Sequence, residues 1–312
     1  MKTEEVVAAA CALALSRDIR LSPGSISKLI LSMPDEAVAS FPAACSWINE
    51  NLPRQDQKIE IHKMATHEAT VWKNIEQNIL VFPIRSKQYP DYLRQIIDAP
   101  PILYLKGNKN LLGFPPGVAI VGTRKASQAG EIIADRISEY FSKARWTIVS
   151  GLALGIDAAA HRGAIKAGGP TIAVLAHGLK SASPKVNSML GQEILDQDGA
   201  WVSEHSFDIS ARKDFFVHRN RIQIGLSAGS IIVEGEEKSG TMTQAEYCLQ
   251  NKRTLFAVLP DNSEKLEMID AGPKLLVQKK NAIILRSKED YEHAMERMSE
   301  FRDKYTHQQS HE

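Results

Sequence analysis

Three cysteines, Cys11, Cys45 and Cys248, are few and widely spaced in 312 residues. They form neither a disulfide framework nor a metal-ligand pattern, and read as buried or idle thiols in a reducing compartment. An excess of one charge is also missing. Lys and Arg number 38 against 37 Asp and Glu, leaving a formal charge of +1. That excludes a histone-like coat, so any contact with a polyanion must come from a few placed residues. No apolar run approaches the ~18 residues of a membrane span. The opening MKTEEVVAAACALALSRD sets two glutamates before a short apolar stretch, which is no signal peptide. The expectation is a cytoplasmic protein without membrane association. Internal repeats and low-complexity tracts are absent. So is a G-x-G-x-x-G run with its downstream acidic residue, which disfavours dinucleotide binding.

What is present is ordinary globular material, 43% hydrophobic and 24% charged, at a length that suggests two domains. Residues 1–75 read as a small N-terminal helical domain. Glu4–Ser16 is rich in Ala and Leu, and Ser25–Met33 follows the turn Ser22-Pro23-Gly24. These two segments have the outline of a helix-hairpin-helix. The turn lacks Gly-x-Gly, however, and a plain helical packing module is the reading taken. Residues 76–111 read as a connecting segment with edge strands at Ile79–Pro83 and Ile102–Leu105. From 112 to 286 apolar runs recur at Val118–Val121, Trp146–Val149, Thr171–Leu175, Ala200–Ser203, Ser230–Val233 and Thr254–Leu259. Helix-length stretches separate most of them, among them Ser127–Ala144, Ile156–Gly168 and Thr241–Asn251. Buried strands alternating with helices predict an α/β fold, an extended Rossmann-like, doubly wound, mostly parallel sheet. Residues 287–312 are charged and predict a helix over Lys288–Phe301 fraying into a tail.

In such a sheet, ligands bind where strand-to-helix loops present backbone amides and helix N-termini. Four loops stand out. After VAIV come Gly122, Thr123, Arg124, Lys125 and Ser127, combining close backbone approach, hydroxyls and a guanidinium fork suited to phosphate. After WTIV, Ser150, Gly151 and Gly155 open a helix. Asp157 and His161 share a face of that helix. With no Ser or Cys nucleophile nearby, a structural hydrogen bond anchoring the helix is favoured over acid–base chemistry. The run Phe215–Ile222 carries Arg219, Asn220 and Arg221. Its phenylalanines read as core, and its arginines as either phosphate ligands or buried ion pairs. After SIIV, Lys238, Ser239, Gly240 and Thr241 make a further anion cradle, with Glu234, Glu236 and Glu237 opposing a phosphate unless they point away. Four such loops on successive strand ends of one sheet predict a phosphate-containing ligand.

The motifs PDYLRQIIDAPPILYLKGN, VAIVGTRKAS, IVSGLALGIDAAAHRGAI, TIAVLAHGL, VSEHSF and HRNRIQIGLSAGSIIVEGEEKSGTMTQAEYCLQNKRTLFAV occur in this order over residues 79–260. In them the chain resembles the DprA/Smf family, proteins linked to natural transformation. The resemblance implies a Rossmann-like protein that binds single-stranded DNA, forms a homodimer and loads a RecA-type recombinase. It implies no enzyme activity, hence no catalytic residue, metal or cofactor. Position by position it places DNA contacts at Gly122, Thr123, Arg124 and Ser127, in the Ser150–Gly155 loop, and at Arg219 and Arg221. The chain departs from the family at Leu154, where arginine is usual. It departs again at Ser183-Pro184 before Asn187, where Tyr-Pro is usual, and at Pro260-Asp261, where Pro-Gly is usual. The winged-helix extension common in the family does not follow the core. A regulatory or antitoxin-like member, with another protein of a mobile-element or phage-defence operon as partner, is one alternative. A nucleotide sensor or phosphoribohydrolase-like enzyme is another. The signature of such enzymes, P-G-G-x-G-T-x-x-E, here has Gln244 in place of its glutamate, and Glu246 lies about 200° further round the helix.

Overall fold

A computed structural model describes residues 1–54 and 56–309. The N-terminal part holds α1 (Thr3–Ala14), α2 (Pro23–Ser32), α3 (Asp35–Val38), α4 (Phe41–Asn51) and α5 (Ile61–Glu76). A π-turn over Leu15–Ile19 closes α1, and Arg20 follows in the left-handed region. Ser22 caps α2, accepting from Ser25 N at 3.3 Å, with Pro23 at the first helical position. The Gly24 amide of this turn donates to Asp98 at 2.5 Å, so a carboxylate of the same chain occupies the place a phosphate would take.

The connecting segment contributes β1 (Leu80–Pro83), the short α6 (Asp91–Arg94) and β2 (Ile102–Gly107). Then β3 (Gly117–Val121), α7 (Gln128–Lys143), β4 (Ile148–Ser150), α8 (Ile156–Lys166) and β5 (Thr171–Val174) alternate. They continue through α9 (Ser188–Asp196), β6 (Ala200–Ser203), α10 (Lys213–Gly225) and β7 (Ser227–Ile232). The last elements are α11 (Gly240–Gln250), β8 (Thr254–Val258), α12 (Ala271–Lys280), β9 (Ile283–Leu285) and α13 (Asp290–Arg302).

One nine-stranded sheet results, in the order β1-β2-β6-β5-β4-β3-β7-β8-β9. β1–β2 and β2–β6 are antiparallel, while β3 to β9 pair in parallel. The two strands read as edge strands thus extend the main sheet, and only β1 lies at its margin. From β3 the chain winds outward through β4, β5 and β6, then returns to β7 on the other flank. The switch point therefore lies between β3 and β7.

Three apolar clusters cover the sheet. The first joins N-terminal Val7, Leu13, Ile26 and Ile48 to Val81, Leu103, Val174 and Val202 of the strands. The second packs α7, α8 and α13 on the sheet through Ile137, Phe141, Ala160 and Met298. The third holds α11 and α12 through Ala245, Cys248 and Leu276. The helix expected over Lys288–Phe301 is α13, and it buries Tyr291, Ala294 and Met298. Fraying over residues 310–312 lies outside the described residues. β9 was not legible because a three-residue run has no period to detect. No described helix is long and apolar enough to cross a membrane.

Candidate nucleic-acid interface

Three of the four segments marked in the sequence follow the carboxyl ends of β3, β4 and β7, whereas Phe215–Ile222 lies inside α10 and is not a loop; many of their polar groups turn inward. Gly122 follows β3, where a Cβ would lie 2.5 Å from Ile156 Cγ1 and 3.0 Å from the Glu234 carbonyl. Its small size serves packing between β7 and α8. Thr123 N donates to the Glu234 carbonyl at 2.9 Å, and Thr123 Oγ1 accepts from Lys125 N at 3.2 Å. Ser127 turns towards the chain's own carboxylate. Its amide and hydroxyl both donate to the Glu234 carboxylate, at 3.0 and 2.7 Å, while its Oγ caps α7 by accepting from Gly130 N. Glu234 is fully buried at the switch point and also accepts from Ile269 N at 3.2 Å. A carboxylate built into the chain thereby satisfies the positive end of α7.

The loop after β4 repeats the device. Ser150 is fully buried, and its hydroxyl donates to the Ile120 carbonyl at 2.7 Å. Gly151 N donates to Asp157 Oδ2 at 3.1 Å. Both donors are thus satisfied within the chain. Asp157 anchors its helix, the structural role expected. Burial raises its pKa, opposed by the nearby Arg219 guanidinium. His161 does not pair with Asp157. Its Nδ1 lies 2.7 Å from Thr171 Oγ1, and the Thr171 hydroxyl donates to the Ile148 carbonyl. The threonine therefore accepts, Nδ1 carries the imidazole proton, and Nε2 has no partner among the described residues. Burial, reinforced by Arg219, pushes His161 down to about 3, so the ring is neutral near pH 7. Gly155, at φ +72°, lets this loop approach the first, since a Cβ there would lie 2.5 Å from the Thr123 carbonyl. Asn187 Nδ2 donates to the carbonyls of Leu152 and Ala153 and fixes the turn.

On α10 the two arginines part company. Arg221 is 1% exposed. It grips both Glu204 oxygens at 2.7 and 2.6 Å and donates to the carbonyls of Asp98 and His218. Burial disfavours its charge, but Glu204 and Asp98 outweigh that and raise its pKa. Arg221 thus forms a buried ion pair, the second of the two readings its motif allowed. Arg219 is 6% exposed and donates from Nη1 to the Val174 carbonyl at 2.7 Å, with Nε unpartnered. It lies so close to Gly151 that a Cβ there would sit 1.5 Å from Nη1. Asn220 Nδ2 donates to the Gly240 carbonyl and ties α10 to the fourth loop. In that loop Lys238 is exposed, and the Ser239 hydroxyl donates to Glu236 O instead of capping α11. Gly240 faces open space, and Thr241 is 8% exposed. Glu236 and Glu237 point to solvent, whereas Glu234 points inward. Gln244, at the position of the hydrolase glutamate, is buried, and among the described residues its amide atoms have no partner.

What faces solvent is a rim of cations on rings. Arg124 lies 5.0 Å over the Phe216 ring, and Arg212 lies 5.0 Å over Phe215. Phe215 stacks on His205 at 3.9 Å and 25°. Both phenylalanines are half-buried and belong to none of the apolar clusters, contrary to their reading as core. Arg124, Lys125, Arg212, Lys213 and Lys238 are all exposed. The alternation of bases and rings in Arg212–Phe216 carried this signal. Only the tertiary structure shows that the start of α10 stays half-open, with His205 stacked on Phe215.

A family model described as DNA recombination-mediator protein A matches residues 80–296. The chain belongs to this family. It is 36% identical over 230 residues to the DNA processing protein DprA of Bacillus subtilis, covering 74% of this chain and 76% of that one. Among solved structures, DprA from Streptococcus pneumoniae aligns with a TM-score of 0.65 at 29% identity, over 93% of this chain and 94% of that one. The Helicobacter pylori protein, described by its single-stranded DNA binding mode, aligns with a TM-score of 0.62 at 28% identity, over 72% and 97%. The family thus spans the sheet and every loop of the rim.

Proposed function

We propose that this DprA-family chain binds single-stranded DNA along the carboxyl rim of its sheet and acts as a recombination mediator. The observation that carries this reading is the exposed pairing of Arg124 with Phe216 and of Arg212 with Phe215, beside Lys125, Lys213 and Lys238. Guanidinium and ammonium groups meet phosphates, while the half-buried rings offer faces to unpaired bases. A duplex hides its base faces, so this arrangement favours a single strand. Arg219, set back beneath Arg124, adds positive potential from below without a direct phosphate contact. The likeness to the Helicobacter pylori protein supports the choice of ligand. Family membership supports a homodimer and a RecA-type recombinase as partners.

The test is fluorescence anisotropy with labelled single-stranded and duplex oligonucleotides at two salt concentrations. Wild type binds the single strand tightly, and affinity falls steeply as salt rises. Arg124→Ala weakens binding about tenfold and flattens the salt dependence. Phe216→Ala weakens the single strand by a similar factor and leaves the salt slope unchanged. Equal, salt-insensitive binding of both DNAs, or none, would overturn the reading.

A further inference from the structure

We infer that α5 braces this rim, with Asn74 as a positioning residue for the loop that carries Glu204 and His205; the inference rests on the nucleic-acid reading above. An asparagine turned into a core is costly unless its amide is satisfied. Asn74 is fully buried. Its Nδ2 donates to the Thr70 carbonyl at 2.7 Å and to Ser206 Oγ at 2.9 Å, and its Oδ1 accepts from Phe207 N at 2.8 Å. One side chain therefore ties the end of α5 to a loop more than a hundred residues away. Lys73 adds an exposed ion pair to Asp208 at 2.8 Å.

The other wall of the same loop is equally close. Gly178 N donates to the Ile209 carbonyl at 2.8 Å, and a Cβ at Gly178 would lie 2.1 Å from the Ser206 carbonyl. Held between these walls, the loop presents two groups to the start of α10. Glu204 locks Arg221, and His205 stacks on Phe215 beneath Arg212. Freed from Asn74, the loop loses the constraint that keeps the Phe215 ring in place. The family match begins at residue 80, after α5, so this brace comes from outside the matched region. It gives the N-terminal helices a part in binding without any contact to DNA.

Neutral hydrogen bonds shape the site but release no counterions, and this separates bracing from phosphate contact. Asn74→Ala is expected to weaken single-strand binding about tenfold at every salt concentration, leaving the slope of log affinity against log salt unchanged. Ser206→Ala acts in the same direction and more weakly. Amide exchange in Asn74→Ala quickens over residues 204–212 ahead of the rest of the chain. Val71→Ala, on the same helix and equally buried, lowers the unfolding temperature without changing affinity. Unchanged exchange over 204–212 in Asn74→Ala would overturn the brace, as would faster exchange with unchanged affinity. If wild type binds no DNA, the nucleic-acid reading falls, and exchange over 204–212 alone decides whether Asn74 holds the loop.

Discussion

Two buried carboxylates decide which polar groups of the rim can meet a ligand. Glu234 takes the amide at the start of α7, and Asp157 takes the Gly151 amide of the loop after β4. Their gain is a rigid platform, because each links separate chain segments through charge-assisted hydrogen bonds. Glu234→Gln keeps the shape but replaces an acceptor oxygen with a donor facing Ser127 and Ile269. It is expected to cost about 1–3 kcal/mol in denaturant unfolding. An unchanged midpoint would show that these contacts carry no stability. Loop composition marked Ser127, Ser150 and Gly151 because hydroxyls and glycines are common to anion cradles and to tight internal turns. What separates the two is the partner, and Glu234 lies 107 residues from Ser127.

At the scale of elements, small residues set how closely the layers approach. On α8, Gly163 faces α7, where a Cβ would lie 2.3 Å from the Asp135 carbonyl and 2.9 Å from Ser138 Cβ. The Ser138 hydroxyl donates to the Ala160 carbonyl across the same contact. Gly163→Ala gains helix propensity but forces the helices apart, and the backbone clash dominates. It is expected to destabilise by about 1–3 kcal/mol, read by thermal or denaturant unfolding. A stabilised variant would mean that α7 and α8 can separate freely. On α10 the division falls along its length. The first turns project past the sheet and present Phe215 and Phe216, while the last turns bury Arg219, Arg221 and Ile222.

At the scale of the molecule, one apolar cluster runs from α1 through β2 and β6 to Ile222 of α10. The N-terminal helices are therefore part of the same packed body as the rim they brace. Burial lowers the pKa of three histidines: His161 is pushed down to about 3, and His177 and His205 are also lowered. In the unfolded chain these rings take up protons near pH 6.5. Their contribution to stability is complete above that value and is lost as pH falls towards the folded values. The raised pKa of Asp157 acts in the opposite sense, favouring the folded state below the ordinary aspartate range. The unfolding midpoint is expected to fall between about pH 7 and about pH 5, with a shallower slope in His161→Gln. A flat profile over that interval would rule out this linkage.

The alternation of continuous apolar runs with helix-length segments determined the doubly wound sheet, because only a strand buried on both faces is apolar throughout. Glycines and bases after those runs determined the edge on which a ligand would sit, since parallel strands share one carboxyl end. The ordered motifs determined the family. Tertiary structure alone decided which candidates face outward. Arg124 and Arg221 are the same residue type, and each stands in a motif that also holds a second basic residue. The fold sets Glu204 and Asp98 around Arg221 and the Phe216 ring under Arg124. Partners distant in sequence set burial and pairing, and those two quantities separate a ligand from a strut.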